Sequence, residues 1–505
     1  MSKKKGYNIV WFCTDQQRYD TITALGNKKI HTPNLDKLIS EGVAFENAYT
    51  QAPICTPSRA CFLTGRYPKT TRATFNGNDH FSKDETLVTR IFADHGWSCG
   101  LAGKLHIAGA KDHLENRTDD GYEMFKWSHH PQNDWEEGID SYQNWLRSKG
   151  IKFEDIYTGC HWDSSKKTTE EDRKRNEGFH KAVYEEGYRP YIGCPAEYHQ
   201  TTWCVEEAIG FIEGHKDKNW LVSLNPFDPH HPIDPPPEYQ ARLNPDDMDL
   251  PLWKEGELDN KPEYQRYDYQ YGGMHGHGHS IIGMTDDQKR QETRDYYAEI
   301  ELIDDQFGRL VRYLDENNLR ENTIIIFMSD HGEMLGDHGT YLKGPYFYQA
   351  LVHVPLIFSC PGLIQQNVRL KALVELVDIA PTLLELNGIE IPFYMQGKSF
   401  AKLLTGEQKK DHHKDSVYSE FYDCLLQVGY VGHHATMYFD GRYKIVNHHG
   451  QSIGELYDLA TDPHEFNNLW FDERYRDLKY QLIQKNFDQA VLNNADYVLD
   501  PAWGY

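Results

Sequence analysis

The chain has 505 residues, 39% of them hydrophobic and 26% charged, with a formal net charge of -24. That length supports a large catalytic domain beside a smaller one, and the acidic balance excludes nucleic acid as a partner. No run approaches the roughly 20 apolar residues of a membrane span, so no membrane partner is expected.

In chain order, Tyr7 to Thr14 reads as a buried strand stopping at Asp15, and a loop rich in small and polar residues then leads to Cys55. A helix is expected over 58–64, another over 86–95, and a short strand over 97–102 that delivers Gly103-Lys104-Leu105-His106 to its end. Residues 131–190 are charged and irregular, and are read as helices and loops inserted over one edge. Asn219 to Asn225 is a further strand, followed at once by Pro226-Phe227-Asp228-Pro229-His230-His231-Pro232. A long amphipathic helix from about Asp286 to Asn317 precedes the clearest strand, Thr323 to Ser329, and a helix follows over 381–387. Strands alternating with helices, with polar residues just beyond the strand ends, predict an α/β fold. It has a large, mixed but mostly parallel sheet, and its site lies at the carboxyl edge. After about residue 405 short strand patterns take over (417–421, 435–439, 443–447, 454–459), ending in a helix near 474–493. This divides the chain into a catalytic domain, 1–405, and an α+β domain with an antiparallel sheet, 406–505.

The nine cysteines are odd in number, with no Cys-x-x-Cys pair, which fits a reducing compartment. The basic start, Met1 to Lys5, is followed by an apolar stretch, Ile9 to Cys13, too short for a signal-peptide core, so the expected location is cytoplasmic.

Residues 55–66, Cys-Thr-Pro-Ser-Arg-Ala-Cys-Phe-Leu-Thr-Gly-Arg, carry the strongest functional signal. A cysteine, Pro57 two residues on and Arg59 four residues on, closing in Thr-Gly-Arg, resembles the site at which sulfatases convert cysteine to formylglycine. The resemblance implies an alkaline-phosphatase-like fold and a sulfuric ester hydrolase. Cys55, as an aldehyde hydrated to a diol, would attack sulfur through one hydroxyl, and the other would lose its proton to expel sulfate. It also implies a formylglycine-generating or anaerobic sulfatase-maturing enzyme as a partner. Arg59, one helical turn on, would steady the diol.

The same resemblance extends over roughly residues 7–470 and places the other groups. Asp330 and His331, in Ser-Asp-His-Gly-Glu directly after a strand, would hold one divalent cation together with Asp15, Gln16 and the residue-55 oxygen. Many sulfatases carry a second acid where Gln16 stands and Asn where His331 stands. These departures resemble the choline sulfatase and phosphonate monoester hydrolase branches, and set manganese beside calcium as the expected ion. Lys104 and His106, in Gly-Lys-Leu-His, would hold a sulfate oxygen and accept the proton that triggers release. Lys343 matches a sulfate-binding lysine, and His230 a histidine that helps the leaving alcohol. An acidic protein acting on an anion needs such cations gathered locally.

The expected substrate is a sulfated small molecule or oligosaccharide, since 33 tyrosines and 11 tryptophans suit stacking on sugar rings. A phosphonate monoester or phosphodiester hydrolase with the same nucleophile is the alternative, and a noncatalytic binder of sulfated glycans a third reading; a homo-oligomer is compatible with each. His275, His277 and His279 alternate with glycine but lack cysteine or acidic companions, which favours a Gly-His loop over a zinc site. Asp337, in a second Asp-His-Gly, is not expected to bind metal, whereas His338 is within the range of residues that could touch substrate.

Overall fold

A computed structural model describes residues 6–493, apart from 79, 111–113, 130–136, 153–155, 157–193 and 277–279. The strands in chain order are β1 (Asn8–Thr14), β2 (Val43–Phe45), β3 (Ala48–Tyr49), β4 (Ser98–Gly103), β5 (Met124–Trp127), β6 (Trp220–Asn225), β7 (Thr323–Ser329), β8 (Leu356–Ser359), β9 (Val368–Leu370), β10 (Val374–Glu375), β11 (Val417–Tyr422), β12 (His434–Phe439), β13 (Tyr443–His448) and β14 (Gly454–Asp458). Eight of them form one sheet in the order β5-β4-β6-β1-β7-β8-β2-β9. The first five run parallel, and β8 is antiparallel to both its neighbours. This is the mixed, mostly parallel α/β sheet that the sequence predicts.

All seven residues of β1 are buried, because helices cover both faces of the sheet. Ile9, Trp11 and Cys13 face one core with Ala60, Phe62, Ile91, Phe92, Leu383 and Leu384. Val10 and Phe12 point the other way, into a core with Trp203, Ala208, Ile303, Phe307 and Leu310. The long helix, Asp286–Glu316, starts with a capping box between Thr285 and Gln288.

Register decides where the site forms. Thr14 pairs with Ser329, Phe12 with Leu224, and Gly103 with Asn225, so the carboxyl ends of β4, β6, β1 and β7 lie side by side. The residues that follow them (Lys104, the 226–234 loop, Asp15 and Asp330) therefore emerge along one edge.

Two expectations change. The segment before Cys55 is no plain loop, since it holds the helix Pro33–Ser40, β2 and β3; strands of two and three residues are too short for a period-2 pattern to register. The helix expected from Ser58 spans Cys55–Thr64, because proline is tolerated in the first turn, where its missing N–H would have no intrahelical acceptor. The insertions expected over 131–190 fall mostly outside the described residues, which there include the helix Ser141–Ser148, capped by Asp140.

The four-stranded antiparallel sheet β11-β12-β13-β14 has a core on each face. On one, Tyr438, Ile445 and Leu456 meet Leu482 of the helix Arg476–Leu492. On the other, Val417, Phe421, Met437 and Val446 pack against Tyr49, Ile54, Met334, Tyr346 and Phe347, and the Lys444 ammonium donates to the Phe347 carbonyl at 2.5 Å. The smaller sheet thus backs the segment just after Lys343.

Gly103 ends β4 at φ 108°, and a Cβ there would lie 2.0 Å from the Asn225 carbonyl oxygen. Gly103→Ala is expected to cost about 2–4 kcal/mol, from a strained backbone plus forced separation of β4 and β6. A urea midpoint matching that of the unaltered protein would refute this close approach.

Candidate active site

Cys55 is the first residue of a wholly buried helix, so its side chain sits at the positive end of the helix dipole. Its sulfur lies 3.1 Å from His331 Nε2, 2.9 Å from Lys343 Nζ and 3.6 Å from Asp15 Oδ1. One ligand atom each from Asp15, Cys55, Asp330 and His331 lies within 4.8 Å of the others, and all four residues are buried. Burial and Asp15 push the Cys55 thiol up, yet Lys104, Lys343 and His331 outweigh them and hold it below its ordinary value.

The carboxylates are braced by buried cations. Arg59 donates from Nε to Asp330 Oδ2 at 2.8 Å, from Nη2 to Asp15 Oδ2 at 3.2 Å, and from Nη1 to the Lys104 carbonyl at 3.0 Å. Its hydrogen bonds thus go to the carboxylates and the Lys104 backbone. The Lys104 ammonium lies 2.5 Å from Asp15 Oδ2. Burial alone would raise the Asp15 pKa, but Lys104, His230, Arg59 and Lys343 together hold it well below the usual carboxylate range.

Lys343 is the hub of the opposite wall. Its Nζ donates to Gln16 Oε1 at 2.7 Å and lies 2.8 Å from His230 Nε2. The His230 Nδ1–H donates to the His231 carbonyl at 2.8 Å, so Nε2 is the nitrogen that accepts from Lys343. The Gln16 amide nitrogen donates to Glu333 and lies 3.3 Å from His231 Nδ1. Glu333 also accepts the N–H of Leu342 at 2.5 Å, next to Lys343 in the chain. His230 and His231 are half-buried, and they are where this group approaches solvent.

Two residues here, Gln16 (φ 68°) and His106 (φ 55°), occupy the left-handed backbone region, a strain that concentrates at functional sites. Glu115 holds the turn at His106 by accepting the N–H groups of His106, Ile107 and Ala108 at 2.8, 2.7 and 2.9 Å, and it also takes the Trp127 indole N–H. The His106 ring meets His129 edge-on at 4.6 Å. Burial first, then Lys104, His129 and Arg59, hold His106 well below its ordinary pKa, so it is neutral.

The donor set fits a divalent cation. Asp15 and Asp330 supply hard carboxylate oxygens. The His331 Nδ1–H donates to the Gly332 carbonyl at 2.8 Å, so the nitrogen that faces Cys55 is Nε2, as an imidazole ligand fixed by its second partner requires.

All the sequence-predicted residues lie at this strand edge, and direct contacts link Asp15, Gln16, Cys55, Arg59, Lys104, His230, Asp330, His331 and Lys343. Sequence reasoning missed Glu115, His129, His231 and Glu333 as supports; for Glu333 alone a signal existed, its place in Ser-Asp-His-Gly-Glu. His338 is taken up elsewhere, with Nδ1 at 2.7 Å from Glu257 and its ring stacked on Tyr348 at 3.9 Å. Asp337 accepts from Arg18 at 2.8 Å and from the Leu252 N–H at 2.7 Å, which makes it a structural anchor. His275 stacks on Tyr267 at 4.3 Å, and His277 and His279 lie outside the described residues.

Beyond Lys343, Asp268 receives the hydroxyls of Tyr346 and Tyr430 and the His275 N–H at 3.0 Å. Burial pushes its carboxyl up to about 7, against the pull of Tyr430 and His275. The native protein thus keeps a proton that the unfolded chain releases near 3.8. This group's stabilisation is full below about pH 4 and lost as pH rises through about 7, on the order of 4 kcal/mol. Asp268→Asn should flatten that part of the stability-pH profile, measured as urea midpoints from pH 4 to 8. An unchanged slope would mean that Asp268 is ionised throughout.

Comparison with known proteins agrees with this geometry. The family model "Sulfatase" matches residues 7–389, and "N-sulphoglucosamine sulphohydrolase, C-terminal" matches 336–491. An arylsulfatase of Clostridium perfringens is 29% identical over 483 residues, covering 93% of this chain and 91% of its own. An N-acetylglucosamine-6-O-sulfatase of Bacteroides thetaiotaomicron is 25% identical over 498 residues, covering 94% and 85%. Among solved structures, a phosphonate monoester hydrolase of Silicibacter pomeroyi superposes with a TM-score of 0.79 at 22% identity, covering 98% of this chain and 97% of the other.

Proposed function

Since the chain belongs to the sulfatase family and is a sulfuric ester hydrolase, we propose that it cleaves a sulfated saccharide, with residue 55, matured to formylglycine, as nucleophile. One observation carries this reading: the Cys55 side chain is the point on which Asp15, His331 and Lys343 converge, within 3.6, 3.1 and 2.9 Å.

Asp15, Asp330 and His331 would hold one divalent cation, with the Gln16 amide oxygen as a further donor. Calcium suits the oxygens, and manganese better tolerates the imidazole. When bound, the cation supplies positive charge that acidifies a coordinated hydroxyl and offsets the charge of the sulfate group.

The protein's own groups do the rest. Arg59 fixes the two carboxylates in position. Lys343 sets its ammonium against residue 55, and Lys104, held on Asp15, adds a second buried positive charge that acts on it, both in a setting that strengthens their pull on nonbridging sulfate oxygens. His106 is neutral and can accept a proton at a ring nitrogen; its Nδ1 is buried and has no partner. His230 Nε2, which accepts from the Lys343 ammonium and stands toward solvent, is placed to pass a proton taken from Lys343 to the leaving oxygen. The eight described cysteines are all free and buried, which supports cytoplasmic placement.

The saccharide assignment rests on the N-acetylglucosamine-6-O-sulfatase relative and on the match to the N-sulphoglucosamine sulphohydrolase C-terminal model. A panel of position-defined sulfated mono- and disaccharides, assayed for free sulfate, tests it; turnover confined to aryl sulfates would overturn it. The fold shared with a phosphonate monoester hydrolase, together with Gln16 and His331, sustains a second reading. Faster turnover of an aryl phosphonate than of the matching aryl sulfate would favour that reading.

Cys55→Ala should abolish turnover, and protein coexpressed with a formylglycine-generating or anaerobic sulfatase-maturing enzyme should be lighter by about 18 Da at residue 55. Full activity with an intact thiol would refute the proposed nucleophile. His230→Ala should lower kcat/KM roughly 10²-fold or more on a sugar sulfate, but far less on 4-nitrophenyl sulfate, whose leaving group needs no proton. Equal losses on both would remove His230 from that role.

A further inference from the structure

A second group of buried acids lies behind the loop that carries His230, and the reaction uses none of its side chains. Three separate elements supply it. His199 caps the helix Gln200–Gly214, Asp228 and Asp234 stand on the loop after β6, and Glu299 projects from the helix Asp286–Glu316. All four residues are buried, exposed by 2% or less.

Hydrogen bonding inside this group is incomplete. His199 Nδ1 lies 3.5 Å from Asp228 Oδ2, which also receives the Thr201 hydroxyl, and the Asp234 N–H donates to Glu299 Oε1 at 2.5 Å. Neither carboxylate oxygen of Asp234, nor Glu299 Oε2, nor His199 Nε2 has any hydrogen-bond partner. Among the described residues no lysine or arginine is paired with the three acids. Ionised carboxylates buried in this way are strongly unfavourable unless a cation joins them. Ligand atoms of His199, Asp228 and Asp234 already lie within 4.8 Å of one another. The Thr201 N–H donates to His199 Nδ1 at 3.4 Å, a long and weak bond that a cation beside Asp228 would displace to reach that lone pair.

We infer that His199, Asp228 and Asp234, with Glu299 beside them, form a second site for a hard divalent cation, separate from the one at Cys55. Two or three carboxylates with one imidazole match the calcium and manganese class and lack the thiolates that zinc prefers. Bound there, the ion ties the 226–234 loop to two helices. Its effect reaches the active site through the backbone, because the Asp228 carbonyl accepts the Asp15 N–H at 3.3 Å. Burial, followed by repulsion from Asp228, raises the carboxyls of both Asp234 and Glu299 well above their usual range without a cation, in keeping with a cluster that must acquire either metal or protons.

The test is metal stoichiometry, independent of turnover. Full-length protein equilibrated with Mn²⁺, and separately with Ca²⁺, is desalted and analysed by inductively coupled plasma mass spectrometry. Two equivalents per chain are expected in the unaltered protein. Asp330→Asn, which disables the site at Cys55, should keep one, and its melting temperature should still rise on adding Mn²⁺ or Ca²⁺. Asp234→Asn should also keep one, and Asp330→Asn with Asp234→Asn should keep none and lose that rise. If the proposed active-site cation is wrong and this site is right, the single equivalent survives Asp330→Asn and disappears with Asp234→Asn. An Asp330→Asn protein holding no metal and showing no metal-dependent melting shift overturns the inference, since the acids then hold protons or water. Because that arm leaves the second cluster intact, it decides the matter even if Asp234→Asn fails to fold.

Discussion

Everything at the active site depends on one buried ionic bridge, the Arg59 guanidinium set between Asp330 at the end of β7 and Asp15 at the end of β1. All three side chains are fully buried, so each charge has lost its water and must be matched inside the protein. A planar guanidinium can do this with fixed directions, donating to both carboxylates and to the Lys104 carbonyl. Lysine could offer the charge without the fork. The bridge thereby ties the helix that begins at Cys55 to three adjacent strand ends.

That arrangement explains how a chain with a net charge of -24 can act on anions. Arg59 is spent largely on Asp15 and Asp330, whereas the contacts of the Lys343 ammonium go to Gln16, His230 and Cys55. Gln16 matters here because it is uncharged. A carboxylate in its place would pair with Lys343 and dilute the positive field on which a sulfate group depends. Glu333 receives the Gln16 amide and so fixes which end of that side chain, the oxygen, meets Lys343.

Local signals made much of this legible. The burial of β1, β6 and β7 was readable because strands covered on both faces become continuous apolar runs. The Asp286–Glu316 helix announced itself through its amphipathic periodicity. Asp15, Lys104 and Asp330 were found because each directly follows such a strand. The helix Pro33–Ser40 and the strand Val43–Phe45 were missed, since a short element leaves too few residues to set its period. Glu115 was missed for another reason: its partners are backbone N–H groups of His106 to Ala108, and acceptors of that kind leave no pattern in side chains.

By itself the sequence determined the residue types and their place relative to strand ends, and with them the reaction class. Cys55, Pro57 and Arg59 lie within one helical turn, so covalent spacing was enough to relate them. Only the tertiary structure decided which atoms meet. Lys343 and Cys55 are 288 residues apart, and Arg59 and Asp330 are 271 apart, brought together by the order in which β4, β6, β1 and β7 pair. The cluster of His199, Asp228, Asp234 and Glu299 belongs wholly to this second kind. No spacing marks it, because it exists only where two helices and a loop bury their acids against one another.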